Sequence, residues 1–226
     1  MRSLTLAQAA EQFRAGRPAR GRTNWRDAEW LAVDLELTGL NPRRHEIVAI
    51  GAVPIRAGRV ALGDCFYTLV RPDHPSEVEA VLVHKLRAED LAGAPPLADA
   101  LTLLLQRMTG TLPVFHTAAV ERGFLGRQLR RLRLRLPAAA DTEVLGKLWL
   151  RDGKGAASAG VPLTRLATLL GQRAYPPHHA LGDALTTASV FIALASHQER
   201  AGQRPTVGSL QHAALRLGGG GRFGPI

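Results

Sequence analysis

The stretch at residues 31–39, LAVDLELTG, constrains this chain more than any other. It reads as a β-strand, yet it carries Asp34 and Glu36 one residue apart. Residues i and i+2 of a strand face the same way, so the two carboxylates share one face and Val33, Leu35 and Leu37 share the other. The flanking Leu31 and Ala32 are apolar, which reads as a central strand. Burying an unpaired charge costs several kcal/mol. Either the acids are the wet side of an ordinary strand or something cationic neutralises them. The TGL that follows offers a turn whose backbone N–H groups can meet a ligand.

The surrounding pattern predicts an α/β fold. After EWLAVDLEL, the segments HEIVAIGAVPI and RVALGDCFYTLV read as two more strands, joined by short polar links that suggest antiparallel neighbours. An irregular stretch over 71–96 follows. A helix is predicted over 97–108, a short strand at TLPVFHT, and a helix over about 119–136 with Leu125, Leu129, Leu132 and Leu136 on one stripe. DTEVLGKLWL and PLTRLATLLG read as shorter helices and ALGDALTTASVFIALASH as a long one. Three antiparallel strands followed by alternating strands and helices imply one mixed sheet flanked by helices. Residues 1–28 read as an N-terminal flanking arm with a short helix, 29–198 as the main domain, and 199–226 as a flexible C-terminal tail ending in GGGGRFGPI.

Charge and cysteine content bound the setting. The net charge is +10 over 226 residues, and all but Lys85, Lys147 and Lys154 of the 29 basic residues are arginine. Such a surface attracts a polyanion such as nucleic acid, although arginine richness also follows from biased coding. Arg127, Arg130, Arg131, Arg20 and Arg22 are candidate phosphate contacts, although the helix arginines read first as a plain solvated face. No run is long and apolar enough for a membrane span. The first residues show no secretory signal pattern. The only cysteine, Cys65, fits a reducing, cytoplasmic compartment.

Two further places bring acids together with histidine. In PVFHTAAVERGFL, Glu121 lies near the start of a helix just after a strand, where an acid also serves the helix dipole. In YPPHHALGDALTTA, His178 and Asp183 are five residues apart, with the acid inside an apolar helix. Four carboxylates and one imidazole suit a hard divalent cation, Mg²⁺ or Mn²⁺, better than structural zinc.

These three segments resemble the motifs of the DnaQ-like (DEDDh) 3′–5′ exonucleases, of the ribonuclease H-like superfamily. DLELTGL is similar to the first motif, usually Asp-x-Glu-Thr-Thr-Gly; HTAAVERGFL to the second, usually His-Asn-x-x-Phe-Asp; and HHALGDA to the third, with His178 as its histidine. The likeness runs in order from about residue 29 to 197. It implies a ribonuclease H-like fold and two Mg²⁺ or Mn²⁺ ions about 3.5–4 Å apart. By the same resemblance Asp34 bridges both, Glu36 and Asp183 complete the first site, and Glu121 holds the second. His178 is then the general base toward the attacking water. Leu37, Thr38 and Gly39 would position the terminal nucleotide through their backbone, and Leu40 would pack on its base. The implied partner is a single-stranded 3′ end, DNA in preference to RNA, and a DNA polymerase is a possible second partner. Three positions depart from the pattern: Leu37 replaces Thr, Thr117 replaces Asn, and Glu121 replaces Asp. The last keeps open a rival reading, a non-catalytic nucleic-acid- or partner-binding module on a degenerate exonuclease fold.

Overall fold

The structure, a computed structural model, describes residues 4–153 and 160–213. A mixed six-stranded sheet forms the centre. Strand β1 (Trp30–Leu37) pairs antiparallel with β2 (Ile47–Arg56) and parallel with β5 (Leu112–Phe115). Beyond β5 lies a two-residue strand, β6 (Ala140–Asp141), also parallel. The outer edge of β2 is shared by β3 (Arg59–Val60) and β4 (Phe66–Leu69). The predicted third strand is thus broken in two by a 3₁₀ turn at Leu62–Asp64. Otherwise the antiparallel-then-parallel sheet has the expected form.

Side-chain alternation along β1 divides the core. Leu31, Val33, Leu35 and Leu37 pack on one face against α1 (Leu6–Ala15), α4 (Leu97–Met108) and α5 (Ala119–Arg131). Trp30 and Ala32 pack on the other, against α6 (Thr142–Gly153), α7 (Leu163–Leu169) and α8 (Ala180–Arg200). Asp34 and Glu36 continue this second face beyond the apolar core. Helix α8 is long and apolar enough in composition to cross a bilayer, but most of that length is buried inside the fold.

Local sequence explains most boundaries. Thr5 and Gln8 form a reciprocal capping box at the start of α1. The stretch at 71–96, expected to be irregular, holds two short helices, α2 (Val78–His84) and α3 (Ala88–Leu91). Helix α5 stops at Arg131 rather than 136, because Arg133 turns left-handed (φ 56°) and Leu134 N–H donates to Leu129 O at 2.8 Å. Leu132 and Leu136 therefore leave the expected helical stripe.

Both ends pack against the sheet domain. In the N-terminal arm Trp25 is fully buried, and its ring meets Phe191 of α8 edge-on at 5.9 Å. Residues 199–213 are not a free tail. Thr206 bridges to Asn24, and the short helix α9 (Val207–Gln211) buries Val207 and Leu210. Arg26 and Trp25 Nε1–H both reach Glu199, each at 2.7 Å. The GGGGRFGPI end lies outside the described residues.

Candidate active site

Three of the four sequence-selected carboxylates meet at the C-terminal end of β1. Asp34, Glu36 and Asp183 each offer an oxygen within 4.8 Å of the others, and among the described residues they are the one group of acids, histidines or cysteines so arranged. Strand geometry aligns Asp34 with Glu36. The first turn of α8 brings Asp183, and a close approach permits it. Gly51 sits opposite Asp34 in β2, and a Cβ there would lie 2.1 Å from the Ala180 carbonyl oxygen. Only glycine lets the start of α8 rest on the sheet beside the strand acids.

Burial makes these charges costly. It pushes the Glu36 carboxyl up to about 7, with Asp183 adding repulsion. Asp34 is raised well above the usual carboxylate range by burial, then by Glu121, Asp183 and Glu36. Asp34 thus feels all three other acids and stands between them. Asp183 is raised mainly by burial, while His178 pulls it back: the His178 N–H donates to Asp183 Oδ2 at 2.7 Å. Glu36 Oε1 and Glu121 Oε2 are buried without a hydrogen-bond partner.

Glu121 approaches from the first turn of α5 and does not join the close triad. It is buried, and burial lifts its carboxyl to about 8, with Asp141 adding to the rise. A fully solvated helix-start acid would show neither feature.

The loop ahead of α5 is held by a residue that sequence reading missed. Asp141 accepts the Thr117 N–H (3.2 Å), the Ala118 N–H (2.9 Å) and the Glu143 N–H (2.9 Å). Its signal was available: DTE reads as an acid capping a helix start, but nothing local tells that it also grips the 117–118 loop. Thr117 is left-handed there, at φ 60°.

His178 is exposed and lines a cleft of about 570 Å³ together with Asp34 and Asp183. His179 is no idle surface residue: its Nδ1 accepts the Gly182 N–H at 3.3 Å, capping α8, and its ring stacks on Tyr67 at 4.7 Å. A further histidine, His84 at the end of α2, is buried. Its Nδ1 accepts the Leu86 N–H at 3.0 Å, and burial lowers its basicity, with His178 close enough to add to that effect.

The expected backbone contacts are altered in part. The Thr38 N–H donates to Glu46 O at 2.9 Å and Thr38 Oγ1 accepts the Glu46 N–H, so Thr38 is bound into the fold. Leu37 is buried, beside a register shift that ends the β1 pairing. At Gly39 a Cβ would lie 2.6 Å from both the His45 ring and the Glu77 carboxylate, so a larger residue there would displace this pair. Leu40 is 80% exposed and free to meet a ligand. Of the phosphate candidates on α5, Arg127 bonds the Pro42 carbonyl, while Arg130 and Arg131 remain exposed.

Comparison with known proteins places the chain among exonucleases. The RNase_T family, described as exonuclease, matches residues 31–191. The chain is 33% identical over 184 residues to the DNA polymerase III subunit epsilon-like protein of Rhodobacter capsulatus; that alignment covers 80% of this chain but only 26% of the relative's length. Exonuclease X in complex with 5′ overhanging duplex DNA superposes with TM-score 0.62 at 22% identity, over 81% of this chain and 98% of that one. The nuclease domain of 3′hExo, a DEDDh family member bound to rAMP, gives TM-score 0.62 at 18% identity, over 81% and 97%.

Proposed function

Since the chain belongs to the RNase_T exonuclease family, within the DnaQ-like branch of the ribonuclease H-like superfamily, we propose that it is a metal-dependent 3′–5′ exonuclease. It would release nucleoside monophosphates from single-stranded 3′ ends, DNA in preference to RNA, in a reducing cytoplasm. The observation that carries this is the set of acids centred on Asp34, with two buried carboxylate oxygens lacking any partner. A fold gains nothing from that repulsion unless cations offset it.

The donor set is all oxygen and suits Mg²⁺ or Mn²⁺. Asp34, Glu36 and Asp183 would hold one ion, and Asp34 with Glu121 the second. When bound, such ions would offset the repulsion among the acids and supply Lewis-acid stabilisation of the charge on the phosphate. His178, exposed at the mouth of the cleft, takes a proton from the attacking water. Its backbone N–H keeps Asp183 oriented. Leu40 lies against the terminal base. A polymerase partner is in keeping with the epsilon-like relative, of which this chain spans about a quarter.

The second reading, a binding module on a silenced site, is favoured by one observation, the position of Glu121 outside the triad. One experiment separates the two: mononucleotide release from 3′-labelled and 5′-labelled oligonucleotides with Mn²⁺, with and without chelator, for wild type, Glu121→Gln and Glu121→Asp. The exonuclease reading expects immediate release of the 3′ label, abolished by chelator and crippled in the Gln variant. An inactive wild type rescued by Asp would establish the silenced site instead. Three superimposed active curves would remove Glu121 from the machinery.

A further inference from the structure

At the opposite end of the sheet, where β1 and β5 begin, the two terminal segments help enclose a cavity of about 670 Å³. Both strands run from this end toward the carboxylates, and Trp30 to Asp34 alone spans ~13 Å of extended chain. The cavity is therefore separate from the cleft at Asp34. Its floor includes Met108 and Leu134, both buried. Arg14, Arg20, Arg133 and Arg135 line it and are exposed. No aspartate or glutamate lines it, and among the described residues none of the four guanidinium groups has a hydrogen-bond or ionic partner.

The plain explanation is an arginine-rich composition, with Arg14 sitting favourably at the C-terminal turn of α1. Two features go beyond it. The arginines come from two distant parts of the chain, the N-terminal arm and the turn that follows α5, and converge on one concavity. That convergence gathers four like charges around a cavity with no acid among its lining residues. The concavity is also built: Gln211 Nε2–H of α9 donates to Ala138 O at 2.5 Å and closes one wall. In addition, Arg133 occupies a left-handed position (φ 56°) in the turn that ends α5. Glycine is the residue that adopts that conformation without strain.

We propose that this cavity binds a phosphate-bearing ligand of nucleotide size, either a free nucleoside monophosphate or the backbone phosphates of a nucleic-acid strand. The volume falls in the range of small-ligand sites, roughly 300–1,000 Å³. Guanidinium groups present paired N–H donors that match phosphate oxygens. The site holds none of the carboxylates assigned to hydrolysis, so it stands or falls independently of that chemistry.

The test is calorimetric titration of the metal-free full chain with thymidine 5′-monophosphate and, separately, with a short single-stranded DNA. Wild type is compared with Arg59→Ala, an exposed charge outside the cavity, and with the double variant Arg20→Ala, Arg133→Gly. Glycine suits the φ of residue 133, so the double variant should fold, and circular dichroism checks it. Binding by wild type should weaken about tenfold or more in the double variant, as expected for two lost charge-assisted contacts, and stay unchanged in Arg59→Ala. Binding of the monophosphate marks a nucleotide site, binding of the strand alone marks a second contact for nucleic acid, and either supports the assignment. Absence of binding by wild type, or equal binding by the double variant, would overturn it.

Discussion

At the scale of single residues, the acids at the sheet end make stability depend on pH. A carboxyl raised on folding binds more protons in the folded state. Its contribution is complete below its unfolded value and is lost as pH rises through its folded one. For Glu36 and Glu121 the folded values are about 7 and about 8. The Tm of metal-free protein should therefore fall as pH rises from about 5 to about 8, across the interval between unfolded and folded carboxyl values. Asp34→Asn should flatten the fall by removing the acid that the other three repel, and Mn²⁺ should reverse it most strongly at the alkaline end. A metal-free Tm that is flat over this range would contradict the burial argument. Thr117 is a second point of cost. It is β-branched at φ 60°, a conformation worth ~1–2 kcal/mol of strain in most residues but tolerated by asparagine. Thr117→Asn should raise the unfolding free energy read from urea titration by about 1 kcal/mol. No gain would mean that the Thr117 hydroxyl's bond to Glu143 Oε2, at 3.1 Å, offsets the strain.

At the scale of elements, the site exists because three of them end at one place. Strand β1 supplies Asp34 and Glu36, α8 supplies Asp183, and α5 supplies Glu121 from the other side of the sheet. The contact of α8 with β2 at Gly51 is the joint most sensitive to change. Gly51→Ala must push the first turn of α8 outward, since the new methyl would overlap the Ala180 carbonyl. Asp183 would then recede from Asp34 and Glu36. A displacement of about 1 Å in a catalytic constellation costs on the order of 10²-fold in rate. The variant should lose hydrolysis to that extent and lose most of its thermal stabilisation by Mn²⁺. Wild-type values for both would show that another contact places α8.

At the scale of the molecule, the ends of the chain close the fold. Residues 21–24 pair with 206–208 through the Val207 N–H to Thr23 O bond (3.0 Å) and the Gly208 N–H to Gly21 O bond (2.8 Å). Together they roof the core around Trp25, Trp30 and Phe191. Leu210 is fully buried in that roof. Leu210→Ala should destabilise the whole domain by ~2–5 kcal/mol in urea unfolding, as a core leucine does. A change within experimental error would mean that α9 is only an attachment.

The sequence by itself determined what rests on short-range pattern. Alternation in LAVDLELTG set the strand and the common face of Asp34 and Glu36. Helical spacing located α4, α5 and α8, and the order of the three acidic segments pointed to the family. Tertiary structure alone decided the rest. That Thr38 spends its N–H on Glu46, that Asp141 grips the loop before Glu121, that His84 is buried near His178, and that four arginines face one cavity are all pairings between distant positions. The docking of both ends is the extreme case, with Trp25 and Glu199 joined across 174 residues. Periodicity reports which side of an element is apolar. It carries no information on which remote group will lie opposite, because that is fixed only when whole elements pack against one another.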